Sequence, residues 1–287
     1  MIAISAYIVC KNEVSTIGEC IESLDSLAEI VIIDSGSTDG TLELIEDFRR
    51  RGYPIRLFHR DWQGFARQKQ FALEQCRSQW CLNLDCDERL DGRLKRALSD
   101  FAFAETGVGG YAITRVDYLP GYGYPPAMVH AQKLTRLVRR EAARYDLDLL
   151  VHEGLIVDGS IKSFPTGRIL HFRDISISED MKKAATYSDL KAKGSFGRGK
   201  TSNAAKIALK PAATFLKVYV LHRYAVCGTA GFIYAANAAV YVYWSEAKLY
   251  RLNRQESPET EEEARLAPLN PPGSAGIPQA QRSSSIS

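Results

Sequence analysis

The chain has 287 residues, 45% hydrophobic and 25% charged, with a net charge of +3. That composition excludes collagen-like, low-complexity and disulfide-scaffold proteins, and it leaves room for one sizeable domain plus an appendage. The six cysteines form no C-x-x-C pair and mostly lie in apolar runs, so they read as buried reduced thiols of a cytosolic protein, not a zinc site or a disulfide framework.

Ile2 to Cys10 is rich in β-formers and apolar on both faces, as a central parallel strand is. It lacks a basic leader and a small-residue cleavage site, so it reads as a strand and not as a signal peptide. The polar loop Lys11-Asn12-Glu13 follows. Ile17, Cys20, Ile21, Leu24 and Leu27 then recur at helical spacing, with Ser15 as the expected cap. Glu29 to Ile33 predicts a second strand, ending at Asp34. The loop Ser35-Gly36-Ser37-Thr38-Asp39-Gly40 opens a helix carrying Leu44, Ile45 and Phe48. Its glycines allow a ligand to approach the backbone, although any strand-to-helix connection uses such residues. Ile55 to Phe58 predicts a third strand. Trp62 to Gln79 predicts a helix with Arg67 and Lys69 near its start, and Trp80 to Leu84 a fourth strand.

That fourth strand stops in Asp85-Cys86-Asp87-Glu88. Alternation along a strand sends Asp85 and Asp87 to one side and Cys86 to the other, back toward the core. Two carboxylates so close repel unless a hard divalent cation, Mg²⁺ or Mn²⁺, relieves them. Taken alone, the pair is a weak signal and reads first as a solvated acidic turn. The strand–helix alternation gives it context. It predicts an α/β fold with a parallel sheet, and such sheets bind ligands beyond the carboxyl ends of their strands. The Lys11–Glu13 loop, Asp34, the Ser35–Gly40 loop and the Asp85/Asp87 pair then share one rim.

After Leu90 the alternation ends. Gly110 to Leu119 and Lys133 to Val138 predict strands on either side of an aromatic, proline-rich loop. Leu149 to Val157 is apolar around His152 and Glu153, and Ile169 to Phe172 is apolar around His171. Residues 175–196 predict a helix. Residues 182–223 hold ten basic side chains against one acid, Asp189, which suggests an anionic surface as partner. Next comes Tyr224 to Trp244, 21 residues without a formal charge, rich in Gly and Ala and flanked by interfacial aromatics. Basic residues flank it on both sides. Helices lying in the membrane face fit this better than a span, and a buried helical hairpin is a further alternative. The proline- and serine-rich residues 256–287 are expected to form a disordered tail.

Val9-Cys10-Lys11-Asn12-Glu13, Ile33 to Asp39, Gly64 to Gln70 and Leu84 to Glu88 together resemble the serial motifs of family 2 glycosyltransferases. Within that family they resemble the lipopolysaccharide-core β-1,4-glucosyltransferase branch, as do Val151-His152-Glu153 and the Pro211–Tyr250 region. The sequence departs from the family pattern at Cys86, where alanine is usual, and at Gly123 to Ala127. The resemblance implies a GT-A fold: a Rossmann-like, mostly parallel nucleotide-sugar domain over residues 1–175, membrane-associating helices over 176–255, and a tail over 256–287. It implies a metal-dependent inverting transfer of a hexose from a nucleotide sugar, UDP-glucose, to a lipid-linked glycan at the cytoplasmic face of a bacterial inner membrane.

On this reading the donor contacts are Lys11, Asn12, Glu13, Asp34, Ser35, Gly36, Arg67, Lys69 and Asp85. The Mg²⁺ or Mn²⁺ ligands are Asp85, Asp87 and His171, with a core histidine equally open for His171. The general base is Glu153, with Asp117 second. A non-catalytic membrane-surface module sits poorly with intact Asp85 and Asp87. A dinucleotide enzyme lacks its Gly-x-Gly-x-x-Gly after the first strand. The basic run beside an uncharged Tyr/Ala-rich segment favours lipid over nucleic acid as partner.

Overall fold

The computed structural model describes residues 2–101, 106–147, 154–172 and 176–255. Its strands are β1 (Ile2–Cys10), β2 (Leu27–Asp34), β3 (Ile55–His59), β4 (Trp80–Asn83), β5 (Glu88–Leu90), β6 (Val108–Asp117), β7 (Gln132–Arg139), β8 (Ala143–Tyr145), β9 (Leu155–Val157) and β10 (Ser160–His171). Its helices are α1 (Ile17–Glu22), α2 (Thr41–Arg50), α3 (Phe65–Gln75), α4 (Gly92–Asp100), α5 (Ile177–Phe196), α6 (Ala204–Leu216) and α7 (Gly228–Gln255).

Eight strands form one mixed sheet in the order β3-β2-β1-β4-β7-β6-β10-β5. β1 runs parallel to β2 and β4, and β2 parallel to β3. β7 is inserted antiparallel between β4 and β6, and β6 is parallel to β10. The chain direction is therefore the same in β1, β2, β3, β4, β6 and β10, and all six end on one rim. β5 pairs antiparallel with β10, which sets Glu88 opposite His171 at that rim.

The continuous apolar run of β1 is explained by burial on both faces. Ile4, Ala6 and Ile8 join one core with α1 and α2, whereas Tyr7 joins a second with Ala72 and Leu73 of α3. Each fully buried Ile or Leu contributes about 1.5–3 kcal/mol. All six cysteines are buried free thiols, and Cys86 turns into the first core as expected. Two local expectations fail. The N-cap of α1 is Thr16, not Ser15, and its hydroxyl donates to the Glu13 carboxylate at 2.9 Å instead of capping the helix. The helix expected over 62–79 spans only Phe65–Gln75, because Gly64 takes a φ of +97° and Cys76 is already extended.

Helices α5, α6 and α7 pack together beside the sheet. A capping box of Ser176 and Glu179 starts α5. Leu119 and Val129, both in the β6–β7 connection, meet Val218, Tyr224, Cys227 and Ala235 in a third apolar cluster. Gly231 is required there: a Cβ would lie 1.9 Å from the Tyr224 carbonyl oxygen. Among the described residues one helical stretch, Tyr224–Gln255, is long and apolar enough to cross a membrane by length and composition. Polar contacts are made from its middle and its C-terminal part. Asn237 donates to Asp180 at 3.1 Å, Lys210 to Glu246 at 2.5 Å, and Lys248 to Asp189 at 2.8 Å. The expected tail, residues 256–287, lies outside the described residues.

Candidate active site

The loops after β1 and β2 are stitched to each other. Asn12, at φ +58°, accepts from the Thr38 amide at 2.8 Å while its own amide donates to Ser37 Oγ at 2.9 Å. The Glu13 amide donates to Thr41 Oγ1 at 2.8 Å. Asp34 is buried and accepts from the Gly36 amide at 2.9 Å, from the Ser37 amide at 3.2 Å and from Ser37 Oγ at 2.5 Å. Burial opposes its charge, but these donors outweigh it and hold the carboxyl below its usual range. Ser35 Oγ accepts from Gln68 of α3 at 2.9 Å. Lys11, in the first of these loops, and Arg67, in the first turn of α3, are both exposed.

Lys69 lies deeper than a surface phosphate ligand would. It is 1% exposed, and its ammonium donates to Asp85 Oδ1 at 2.8 Å and Asn83 Oδ1 at 3.2 Å. The other Asp85 oxygen accepts from Arg136 at 2.8 Å. Burial raises the Asp85 carboxyl, yet Lys69 and Arg136 overcome it and hold the group far below the carboxylate range. Arg136 also reaches Asn83 at 2.6 Å and Glu88 at 2.7 Å. Glu88 is fully buried and lies 3.5 Å from Arg115, which donates to Asp117 at 3.1 Å. A chain of alternating charges thus crosses β4, β7, β5 and β6.

It ends at His171. Nδ1 lies 2.9 Å from Asp117 and Nε2 lies 3.1 Å from Asp87. Burial works against a charged ring, but the bonds to Asp117 and Asp87 prevail and push it up to about 9. Tyr234 of α7 donates to the remaining Asp117 oxygen at 3.4 Å. A cavity of about 250 Å³ opens here, walled by Asp117, His171, Asp180, Ile233 and Asn237.

The expected metal ligands are therefore split. Asp85 faces Lys69 and Arg136, whereas Asp87 faces His171. Among the described residues no three His, Cys, Asp or Glu side chains converge as a ready-made metal cluster. The donor set still suits a hard cation shared with a diphosphate. Asp87 Oδ1 has no hydrogen-bond partner among the described residues, and such ions take one or two carboxylates plus phosphate oxygens. Asp117 is fixed by three donors, which makes it a weak base. Glu153 lies outside the described residues. Arg136, Arg115 and Tyr234 were not expected from the sequence. An arginine inside the apolar run Leu134–Val138 was the one local signal, because an unpaired charge there would be prohibitive.

The chain matches the family model described as glycosyl transferase family 2 over residues 5–143. It is 44% identical over 248 residues to a lipopolysaccharide core biosynthesis glycosyltransferase, LpsC, of Rhizobium meliloti (strain 1021), covering 86% of this chain and 92% of that protein. An uncharacterized glycosyltransferase of Rickettsia bellii (strain RML369-C) is 29% identical, covering 90% of this chain and 89% of its own. Among solved structures, S. aureus TarS 1–349 matches with a TM-score of 0.44 at 15% identity, over 88% of this chain and 92% of its own.

Proposed function

Because the chain belongs to glycosyl transferase family 2, we propose that it moves a hexose, glucose, from UDP-glucose to a hydroxyl of a lipid-linked lipopolysaccharide-core glycan, with inversion at the sugar carbon. The observation that carries this reading is the common rim: Asp34, the two acidic residues after β4, Asp117 and His171 all stand at its edge. Asp34 accepts from the base of the nucleotide, and the Lys11–Glu13 loop lines it. Ser35 and Gly36 flank that contact. Arg67 meets the diphosphate. Lys69 and Arg136 hold Asp85 ionised and fixed at the rim.

Asp87 and His171 would hold Mg²⁺ or Mn²⁺ together with the donor's phosphates, Asp85 completing the acidic side; the ion supplies charge stabilisation to the leaving diphosphate. To join such a site the His171 ring gives up a proton. The acceptor hydroxyl attacks the sugar carbon from the face opposite the diphosphate, and its proton passes to Glu153. Asp117 then positions His171 and is the alternative base.

Residues 1–175 act as the transferase domain and 176–255 as a peripheral anchor on the cytoplasmic membrane face. The in-plane reading is supported by the polar partners spread along α7 and by the exposed Leu209, Leu216, Val220 and Leu221 beside Lys206, Lys210 and Lys217. A donor screen tests the function: release of nucleotide from each nucleotide sugar by full-length protein, with core oligosaccharide and with Mg²⁺ or Mn²⁺. UDP-glucose is expected to be consumed fastest, and Asp87→Asn to slow it about 10²-fold or more with an unchanged melting temperature. No turnover of any nucleotide sugar, or a fully active Asp87→Asn, would overturn the reading.

A further inference from the structure

A second cavity, of about 630 Å³, lies beyond Asp117 and has no part in the chemistry above. Arg93 and Arg96 of α4 and Arg168 of β10 line it, together with Thr114 and Thr166. Arg93 and Arg96 are one turn apart on the same helix face, both exposed. Leu94 and Leu98 are buried on the opposite side, so the helix cannot rotate its arginines away. Neither guanidinium has an ion-pair or hydrogen-bond partner among the described residues. The lone carboxylate in the lining, Asp91, is already engaged: it accepts from the Leu94 amide at 2.7 Å and faces Arg168 at 3.5 Å.

The shape of the groove is built in. Gly167, at φ +83°, lets β10 lie against α4, where a Cβ would come within 2.4 Å of the Leu94 backbone. Thr166, Gly167 and Arg168 are therefore presented beside Arg93 and Arg96. The groove also adjoins the pocket next to the reaction centre. It shares Val116, Val129 and Ala131 with an adjoining pocket of about 290 Å³ whose lining includes Arg115 and Asp117.

We infer that this groove binds an oxyanion group, a phosphate or carboxylate, carried by the acceptor glycan at a distance from the hydroxyl that reacts. Two guanidiniums without a partner among the described residues, each a planar fork of donors, match such groups in chemistry and charge. The inference rests on the transferase reading above and specifies its acceptor as an anionic glycan. On that reading the catalytic rim acts on the hydroxyl, and the arginines select which glycan is offered.

The test uses full-length protein and core oligosaccharide freed of lipid, compared with the same material after enzymatic removal of phosphate and chemical reduction of carboxyl groups. Binding is measured by calorimetry without donor, and transfer is measured with donor. The double variant Arg93→Gln/Arg96→Gln, on exposed positions, is expected to raise the acceptor Kd and KM roughly 5- to 30-fold. Its kcat, donor KM and melting temperature should stay unchanged, and its defect should vanish on the neutralised acceptor. A parallel arm measures co-sedimentation with phosphatidylglycerol vesicles, where the variant is expected to match the wild type. Loss of vesicle binding with unchanged oligosaccharide binding would assign the groove to lipid headgroups and overturn the inference. So would equal binding of charged and neutralised glycan, or no binding of either. Charge-dependent binding through Arg93 and Arg96 without any transfer would sustain the groove and refute the proposed reaction instead.

Discussion

Asp34 and Asp117 both stand at strand ends on the same rim, and they are held in opposite ways. Asp34 takes its hydrogen bonds from Gly36 and Ser37, residues that follow it immediately in the chain. Asp117 is held by Arg115, by His171 from β10 and by Tyr234 from α7. The first half of the rim, at the ends of β1 and β2, is fixed by hydrogen bonds within and between two neighbouring loops. The second half, from β7 to β10, is a mutual set of charges that exists only because the sheet brings distant strands together. Losing one member of the local set removes one contact. Losing one member of the mutual set leaves others buried and uncompensated.

The sharpest test asks whether the base belongs to either half. With Glu153 in that role, Glu153→Gln should lower kcat ~10²–10⁴-fold while donor KM holds. Asp117→Asn should then be much milder in steady-state assays, and the reverse pattern would move the base into the second half of the rim. Next is stability. Arg136→Met strands Asp85 and Glu88 and should cost about 3–5 kcal/mol in urea unfolding. Ser37→Ala in the local half should cost about 1 kcal/mol. Equal losses would erase the distinction.

A smaller effect is expected at the edge of the mutual set. Tyr234→Phe removes one long hydrogen bond but keeps the ring stacked on Tyr224 with centroids 4.4 Å apart, so turnover should fall by no more than about threefold. A larger fall would make the helix region a direct determinant of Asp117 geometry. The smallest effect lies at the far end of the sheet. Burial raises Glu29, but Ser5, Arg56 and the Arg77 amide overcome it and hold the carboxyl below the ordinary 4.5. A depressed folded value means its stabilisation is present above that pH and is lost as pH falls through the folded value. Glu29→Gln should therefore remove, below about pH 4.5, no more than a single proton's worth of slope from the acid unfolding curve. An unchanged slope would leave Glu29 without influence on acid stability.

The two halves were also unequally legible in the sequence. Asp34, Asn12 and the Asp85–Asp87 stretch announced themselves, because short contiguous motifs at strand ends carry their own geometry. The α/β order followed from periodicity for the same reason. Arg136 and Arg115 did not announce their partners, since no local pattern predicts that β7 inserts between β4 and β6. Lys69 looked like a phosphate ligand by its place near a helix start, yet three-dimensional packing turns it inward onto Asp85. The Ser15 cap failed because the helix starts one residue later, after Thr16, whose hydroxyl is drawn to Glu13. The apolar stretch after Tyr224 gave length without orientation, and its polar partners emerged only from the packing of α5 and α6.

The apolar seam that joins Leu119 and Val129 to Val218, Tyr224 and Ala235 has a practical corollary. Clipping the chain before α6, the usual route to a crystallisable soluble fragment, would strip the cover from Leu119 and Val129 and open the wall of the cavity at Asp117. Such a fragment is expected to self-associate through the bared seam even in the absence of lipid. The helical region and the sheet are not modular parts here, and the intact chain is the form in which the cavity keeps its wall.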